Sequence, residues 1–312
     1  MAEISVAEIL SCIGETPLVE LKKINKTGCR LFAKLEFLNP SGSIKDRMAY
    51  EMVLKAEKRG LLRKGMRIIE VTSGNTGIAF AMIAAERGYK FTAVMPESMT
   101  IERRQMISAF GGELVLTPAK DDIAGAFRKF EELRASEKDA WFPMQFENPD
   151  NTEAHIKTGN EILRELEDVV DVFVAGVGTG GTLMGVANAL RQKNKDVKIV
   201  AVEPAESAVM LGRKPGIHQI QGIGEGFIPK LVDMREIDEV VAVSGKDSMA
   251  MARRIAREEG MLCGVSSGAN VVAALEVGKR PEMKGKSVVT VLPDRGERYL
   301  SMNIFSEVLQ KG

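Results

Sequence analysis

The chain has 312 residues, 45% of them hydrophobic and 28% charged, which predicts a packed globular protein of one large or two medium domains. Lysine plus arginine and aspartate plus glutamate each number 43, so the formal net charge is zero, which argues against a protein that binds nucleic acid or a membrane surface. No apolar run is long enough to span a membrane and no signal-peptide pattern opens the chain, so we expect a soluble, cytoplasmic protein. The three cysteines lack metal-binding spacing, and Cys263 is expected to be a buried thiol.

Lys45 is the first chemically distinctive residue along the chain. It lies in the stretch Asn39-Pro40-Ser41-Gly42-Ser43-Ile44-Lys45-Asp46-Arg47, a turn that leads directly into a helical pattern. Lysine amines form Schiff bases with carbonyl compounds and with pyridoxal phosphate (PLP). A lone lysine in such a place is usually a solvated helix-start residue, so its interpretation depends on the loops further along the chain.

Strand and helix patterns alternate from about residue 65 to the end of the chain. The predicted strands are 67–71, 91–95, 114–117, 172–177, 197–202, 240–243 and 287–292, and the helical patterns include 77–87, 123–135, 182–193 and 248–259. This alternation predicts an α/β protein with parallel sheets covered on both faces. Ligands of such proteins bind beyond the carboxyl ends of the strands.

The loop Thr72-Ser73-Gly74-Asn75-Thr76-Gly77 follows one predicted strand and opens a helix. Backbone N–H groups at a helix N-terminus, together with serine and threonine hydroxyls, bind anions, so this loop could hold a carboxylate. A helix N-cap would require only one or two of these residues. Six small polar residues in a row therefore favour a binding function.

The loop Gly176-Val177-Gly178-Thr179-Gly180-Gly181-Thr182 is a second anion-binding candidate, and it matches the dinucleotide fingerprint GxGxxG. Glu203 ends the next predicted strand, where a dinucleotide-binding fold has its ribose-binding acid. The fingerprint, however, usually opens the first strand–helix unit, and here it follows several others. The hydroxyls of Thr179 and Thr182 also suit a monophosphate. A nicotinamide-dependent dehydrogenase and a purely structural tight turn remain open alternatives.

Two further loops contain several glycines. The stretch Gly264-Val265-Ser266-Ser267-Gly268 matches GxSxG, the nucleophile elbow of α/β-hydrolases, whose triad runs in the order Ser, acid, His. Both histidines, His155 and His218, precede Ser266, which excludes a hydrolase, and both are expected to be structural. The stretch 221–229, with Gly222, Gly224 and Gly226, reads as a flexible loop or a lid.

Together these motifs resemble one family, from Ile13-Gly14-Glu15-Thr16-Pro17-Leu18 to Gly296-Glu297-Arg298-Tyr299-Leu300. The chain is similar to the cysteine synthases (O-acetylserine sulfhydrylases) of PLP fold type II, a group that includes cystathionine β-synthase and tryptophan synthase β. The resemblance implies two three-layer α/β domains with mostly parallel sheets. Residues 35–148 would form the smaller domain and residues 1–34 with 149–312 the larger one. It also implies a homodimer and serine acetyltransferase as a partner.

The resemblance implies a role for each motif, with PLP as cofactor and no metal. Lys45 would be the Schiff-base lysine and general base, Asn75 would hydrogen-bond the PLP ring hydroxyl, and Ser266 would face the pyridine nitrogen. The phosphate would be held by Gly178, Thr179, Gly180, Gly181 and Thr182. The substrate carboxylate would be bound by Thr72, Ser73, Gly74, Thr76 and Gln145, with Gly222 and Gly224 bordering the site.

The implied reaction is a β-replacement that makes L-cysteine from O-acetyl-L-serine and sulfide through an aminoacrylate. A serine at the pyridine nitrogen makes the ring a weaker electron sink than an aspartate would, which suits β-elimination. Glu225 and Arg295 depart from the family pattern, and the carboxylate of Glu225 would repel a phosphorylated donor. The alternatives are related reactions on serine, phosphoserine or cysteine that form cystathionine, lanthionine or sulfide, and a non-enzymatic relative that binds a peptide C-terminus.

Overall fold

The computed structural model describes residues 8–167 and 169–305, and its backbone is organised around two sheets. The strands are β1 (Leu18–Glu20), β2 (Arg30–Lys34), β3 (Arg67–Val71), β4 (Lys90–Pro96), β5 (Glu113–Thr117), β6 (Ala140–Trp141), β7 (Val172–Gly176), β8 (Lys198–Pro204), β9 (Glu239–Val243) and β10 (Ser287–Val291). The helices are α1 (Lys45–Lys58), α2 (Asn75–Arg87), α3 (Ile101–Ala109), α4 (Asp122–Ser136), α5 (Pro149–Glu165), α6 (Gly181–Lys193), α7 (Gly245–Arg254) and α8 (Val265–Gly278).

The larger sheet has six strands in the order β1-β2-β10-β7-β8-β9, and the smaller sheet has four in the order β5-β4-β3-β6. β1 pairs antiparallel with β2, and every other pairing between these strands is parallel. Parallel strands need crossover helices, and these helices cover both faces of each sheet. All five residues of β10 are buried, as expected for a central parallel strand.

Both sheets have a hydrophobic core on each face. In the larger sheet one core is shared with α8 and the other with α6. In the smaller sheet α1 and α2 pack on one face, and Ala126 and Phe130 of α4 pack on the other. The predicted α/β fold of two three-layer units with mostly parallel sheets is therefore confirmed. The residue bounds 35–148, with 1–34 and 149–312 for the larger domain, stay a prediction.

All seven predicted strands are present, within two residues at each end, and so are the four helical patterns. The prediction for 248–259 covers α7 and a turn of π-helix, Ile255–Glu259, that follows it directly. β1, β2 and β6 were not predicted; β1 and β6, with three and two residues, are too short to show a clear period. Cys263 is fully buried, as expected, and no helix in the described residues is both long and apolar enough to cross a membrane.

A buried ion-pair network around Arg47 connects the start of α1 to the larger sheet. The Arg47 guanidinium donates to Glu36 at 2.7 and 2.9 Å and to Glu161 of α5 at 2.6 and 2.7 Å. Lys34 at the end of β2 lies 3.0 Å from Glu161 and completes the Arg47 network. Burial raises the pKa of Glu161, but its hydrogen bond to Arg47 outweighs this and holds the pKa at about 2. The network therefore fixes the helix turn that contains Lys45.

We expect Arg47→Met to lower the free energy of unfolding by about 3–5 kcal/mol, because it leaves the buried carboxylates of Glu36 and Glu161 without their counter-charge. Urea denaturation followed by circular dichroism would measure this change. The matched control is Arg254→Met, which removes an exposed guanidinium paired with Glu258 at 2.7 Å and is expected to cost less than about 1 kcal/mol. Equal losses in the two variants would contradict the importance of the Arg47 network.

Candidate active site

The predicted site residues come together in one cavity between the carboxyl ends of β3 and β7. The cavity has a volume of about 830 Å³ when the part open to solvent is included. β3 belongs to the smaller sheet and β7 to the larger one, and the loops that follow them, 72–77 and 176–182, line the same cavity. The predicted residues that line the cavity are Lys45, Thr72, Ser73, Asn75, Thr76, Gln145, Gly178, Thr179, Gly180, Thr182, Gly222 and Ser266.

Three predicted residues lie outside this lining, each packed against a neighbour. A Cβ atom on Gly74 would come 2.0 Å from Cδ of Arg103, and one on Gly181 would come 2.0 Å from Oδ1 of Asn151. Gly224 lies in the adjoining cleft, where a Cβ atom would come 2.5 Å from Pro204. At these positions glycine is required by close packing, so the three residues shape the loops rather than the cavity wall.

Lys45 is the first residue of α1, and its side chain reaches the cavity. The preceding turn is tied to the larger sheet, since Ile44 N–H donates to the Pro293 carbonyl at 2.8 Å. Burial lowers the pKa of the Lys45 amine, an effect that the carboxylates of Glu225 and Asp294 partly oppose. A lowered pKa increases the fraction of neutral amine, which is the form that acts as a nucleophile or a base.

The 72–77 loop is organised by its own side chains. The Thr72 hydroxyl oxygen accepts from Gly74 N–H at 2.9 Å and from Gly77 N–H at 3.1 Å. Thr76 donates to Oε1 of Gln145 at 2.7 Å, and Gln145 in turn donates to the Val71 carbonyl at 2.7 Å. Gly74 has φ +144°, a conformation that residues with a Cβ rarely adopt. The loop is therefore held open toward the cavity at the N-terminus of α2.

The amide of Asn75 is hydrogen-bonded to charged residues that follow β10. Its Nδ2 donates to Asp294 at 2.7 Å and its Oδ1 accepts from Arg298. Asp294 also accepts from the Tyr299 hydroxyl at 2.7 Å. An amide has two N–H donors, so one of them stays available to a ligand. No motif in the sequence pointed to Asp294, although its place just beyond the end of β10 is the kind of signal that marks a site residue.

The 176–182 loop forms the opposite wall of the cavity. Gly180 has φ +85° and caps the N-terminus of α6, where the first N–H groups have no partner inside the helix. Asn151 fixes the loop by donating to the Thr179 hydroxyl at 3.0 Å. Gly178 lies so close to the 221–229 loop that a Cβ atom there would come 2.4 Å from the Gly222 carbonyl. These features produce an anion-binding surface lined by backbone N–H groups and hydroxyls.

Glu203 and both histidines make internal contacts. The buried Glu203 carboxylate accepts from Met210 N–H at 2.9 Å and from Leu211 N–H at 3.1 Å, so it is not positioned to bind a ribose. Burial lowers the pKa of His155, with further contributions from Arg47 and Lys45, and its Nε2 lies 3.3 Å from the Thr182 hydroxyl. His218 Nε2 lies 2.8 Å from the Gly224 carbonyl and donates to it. A dinucleotide-binding site would therefore lack its ribose-binding acid. Both histidines have the structural environment that was expected.

Glu70 supports the cavity from behind. It is the penultimate residue of β3, near the 72–77 loop, and its carboxyl oxygens accept from Val71 N–H at 3.0 Å and from Gln145 N–H at 3.2 Å. Burial raises the pKa of Glu70 to about 8, although these hydrogen bonds oppose the shift. The group is therefore mostly protonated near neutral pH while its ordinary pKa is 4.5.

Comparison with known proteins places the cavity in context. The family described as "Pyridoxal-phosphate dependent enzyme" matches residues 9–294. A cysteine synthase of Staphylococcus aureus is 46% identical over 310 residues, which cover 98% of this chain and 99% of the relative. The crystal structure of a cysteine synthase from Entamoeba histolytica has a TM-score of 0.93 and 43% identity, covering 98% of this chain and 92% of that one. O-ureido-L-serine synthase has a TM-score of 0.92 and 42% identity, covering 97% and 96%.

The cavity offers a matching group for each part of pyridoxal phosphate. Lys45 supplies an amine for the aldehyde, and the N-terminus of α6 with Thr179 and Thr182 supplies donors for the phosphate. The Ser266 hydroxyl is 4% exposed and lines the same cavity, where it can meet a ring nitrogen. The residues present therefore fit this cofactor.

We expect the stability of Glu70→Gln to improve relative to the unsubstituted protein as the pH rises from 5 to 8. The pKa of Glu70 in the folded protein is higher than in the unfolded chain, so its contribution is complete below pH 4.5 and is lost as the pH rises toward 8. Glutamine does not titrate, and the difference in unfolding free energy should approach a slope of about 1.4 kcal/mol per pH unit. The measurement is urea denaturation at several pH values.

The control for this titration is Glu137→Gln, which changes an exposed carboxylate at the end of α4. Because water surrounds that side chain, the variant measures the effect of exchanging a carboxylate for an amide without burial. A Glu70→Gln difference that does not change with pH would show that Glu70 is ionised in the folded protein.

Proposed function

We propose that this chain, which belongs to the pyridoxal-phosphate dependent enzyme family, makes L-cysteine from O-acetyl-L-serine and sulfide by replacing the group at the substrate Cβ. The observation that carries the proposal is the convergence of the Lys45 amine, the 72–77 loop and the 176–182 loop in one cavity. A base, a carboxylate-binding loop and a phosphate-binding helix terminus are the parts that this chemistry needs. The match with cysteine synthases over nearly the whole chain supports the choice of substrates.

In this proposal the cofactor is held by residues from both sheets. Lys45 would bond its aldehyde carbon, and Asn75 would direct its remaining amide N–H toward the ring hydroxyl. Ser266 would be the neutral partner of the ring nitrogen. The phosphate would be held by Gly178, Thr179, Gly180, Gly181 and Thr182 at the N-terminus of α6. When bound, pyridoxal phosphate supplies an electron sink for negative charge that develops at the substrate Cα.

The protein then contributes orientation and proton transfer. The 72–77 loop, with Gln145 behind it, holds the substrate carboxylate through N–H groups and hydroxyls of Thr72, Ser73, Gly74 and Thr76. Once the substrate amine had displaced Lys45 from the cofactor, the free Lys45 amine, with its pKa lowered by burial, would take the proton from Cα. Acetate would leave from Cβ with the electron pair of its C–O bond, hydrosulfide would add to the same carbon, and the proton held by Lys45 would return to Cα. Gly222 and Gly224 belong to the loop that borders the cavity and closes over the substrate.

Related reactions differ from this one in donor or acceptor. Serine, phosphoserine or cysteine as donor, with cystathionine, lanthionine or sulfide as product, would use the same cavity. Glu225 lines that cavity and its carboxylate interacts with the Lys45 amine. A second negative charge on the donor would be repelled there, which disfavours phosphoserine. A homodimer, a serine acetyltransferase partner and a cytoplasmic location remain predictions from the family resemblance and the sequence.

We expect purified holoprotein to be yellow and its visible band to move to longer wavelength on addition of O-acetyl-L-serine without sulfide. Addition of sulfide should then restore the band and release L-cysteine, quantified by chromatography. Lys45→Ala should lower turnover by about 10²–10⁴-fold, because the variant lacks the base at Cα. The matched control is Lys58→Ala, at the exposed opposite end of α1, which should leave turnover unchanged.

Other outcomes of this experiment are informative. A yellow protein that responds to L-serine but not to O-acetyl-L-serine would replace the proposed donor. A protein that stays colourless with added pyridoxal phosphate would contradict the assignment of Lys45.

A further inference from the structure

Arg103 is a buried cation directly beneath the 72–77 loop. It belongs to α3 and is 1% exposed, and it contributes to the wall of the same cavity. Its side chain occupies the space that a Cβ atom on Gly74 would take, with Cδ at 2.0 Å and Nε at 2.6 Å from that position. The guanidinium therefore touches the loop that was assigned to the substrate carboxylate.

The guanidinium of Arg103 has unused hydrogen-bond donors. Its Nε and Nη1 are buried and have no acceptor among residues 8–167 and 169–305. Its contact is with an aromatic ring, since Cζ lies 4.8 Å from the centroid of Tyr299. Buried N–H donors of a cation that have no acceptor are costly in a folded protein. An anion that binds at this place would remove that cost.

The neighbouring carboxylates do not fill this role. Asp294 accepts from Asn75 and from the Tyr299 hydroxyl, both at 2.7 Å. Glu102, the residue before Arg103, accepts from Ser301 N–H at 2.7 Å. The charge of Arg103 is among the contacts that lower the pKa of Glu102 against the effect of burial. Neither carboxylate, however, accepts from Nε or Nη1 of Arg103, so these donors are left beside the loop and the cavity.

We propose that Arg103 is a further substrate-recognition residue, whose guanidinium holds the substrate α-carboxylate against the 72–77 loop. This inference rests on the proposed function, because it presumes an amino-acid substrate in the cavity. Hydroxyls and backbone N–H groups of the loop orient the carboxylate, and the buried Arg103 adds a full positive charge. The cavity then selects amino acids with a free carboxylate over their amides and esters.

The test uses holoprotein and two ligands that differ in the carboxylate alone, L-alanine and L-alaninamide. Neither has a leaving group at Cβ, so calorimetry measures binding without turnover. Arg103→Met should weaken L-alanine binding by about tenfold to a hundredfold, the usual effect of losing a charged hydrogen-bonding partner. Binding of L-alaninamide should change less than about twofold. Arg103→Lys keeps the charge and should retain most of the preference for the acid.

A matched control is Arg104→Met, one residue along α3 and outside the cavity lining, which should leave both affinities unchanged. Equal weakening of both ligands in Arg103→Met would show a structural role, and no weakening of either would also overturn the proposal. If Arg103→Met does not fold, Arg103→Gln tests the same loss of charge with a polar side chain. Failure of the proposed function is distinguishable, because it shows in the unsubstituted protein as absence of cysteine formation.

Discussion

The buried guanidinium of Arg47 is the contact on which the geometry of the site depends. It is hydrogen-bonded to Glu36 beyond β2 and to Glu161 on α5, so the first turn of α1 is fixed to two elements associated with the larger sheet. Lys45 lies two residues before Arg47 on that turn, so the same contacts fix the position from which its amine extends. The network is fully paired, which is the condition under which buried charges are tolerated. The Lys45 side chain is therefore rigidly attached, although it enters the cavity from the start of a helix.

The cavity exists because two parallel sheets direct their carboxyl ends to the same place. β3 is followed by the 72–77 loop and β7 by the 176–182 loop, and each loop opens a helix at its N-terminus. Helix N-termini carry unpaired N–H groups, so the space between the sheets is lined on two sides by donors for anions. Two helix N-termini therefore provide the same kind of anion-binding site, one for a phosphate and the other for a carboxylate.

A layer of buried polar residues supports these loops from behind. Gln145 and Glu70 join β3 and the 72–77 loop to the segment before α5, and Asn151 of α5 joins that segment to the 176–182 loop. Asp294 joins the 72–77 loop to the segment after β10. Buried polar groups of this kind cost stability unless they are paired, and most of their atoms here are. Arg103 is the exception with the clearest consequence, since its free donors face the binding loop. The support layer thus combines rigid hydrogen bonding with one cation whose Nε and Nη1 have no acceptor in the described residues.

Much of this organisation could be predicted from the sequence. Apolar runs and helical periods determined seven strands and the α/β class, and the small polar residues after two of those strands identified the loops and Lys45. Short strands such as β1 and β6 carry no period, so only pairing in the folded sheet defines them. In the sequence, Glu203 matched a ribose-binding pattern. In the structure, its carboxylate accepts from two backbone N–H groups instead. Only the tertiary structure decided the roles of Arg47, Asp294 and Arg103, because their contacts join segments that are far apart in the chain. Burial strengthens the interactions of these charged groups, and no local sequence pattern records burial.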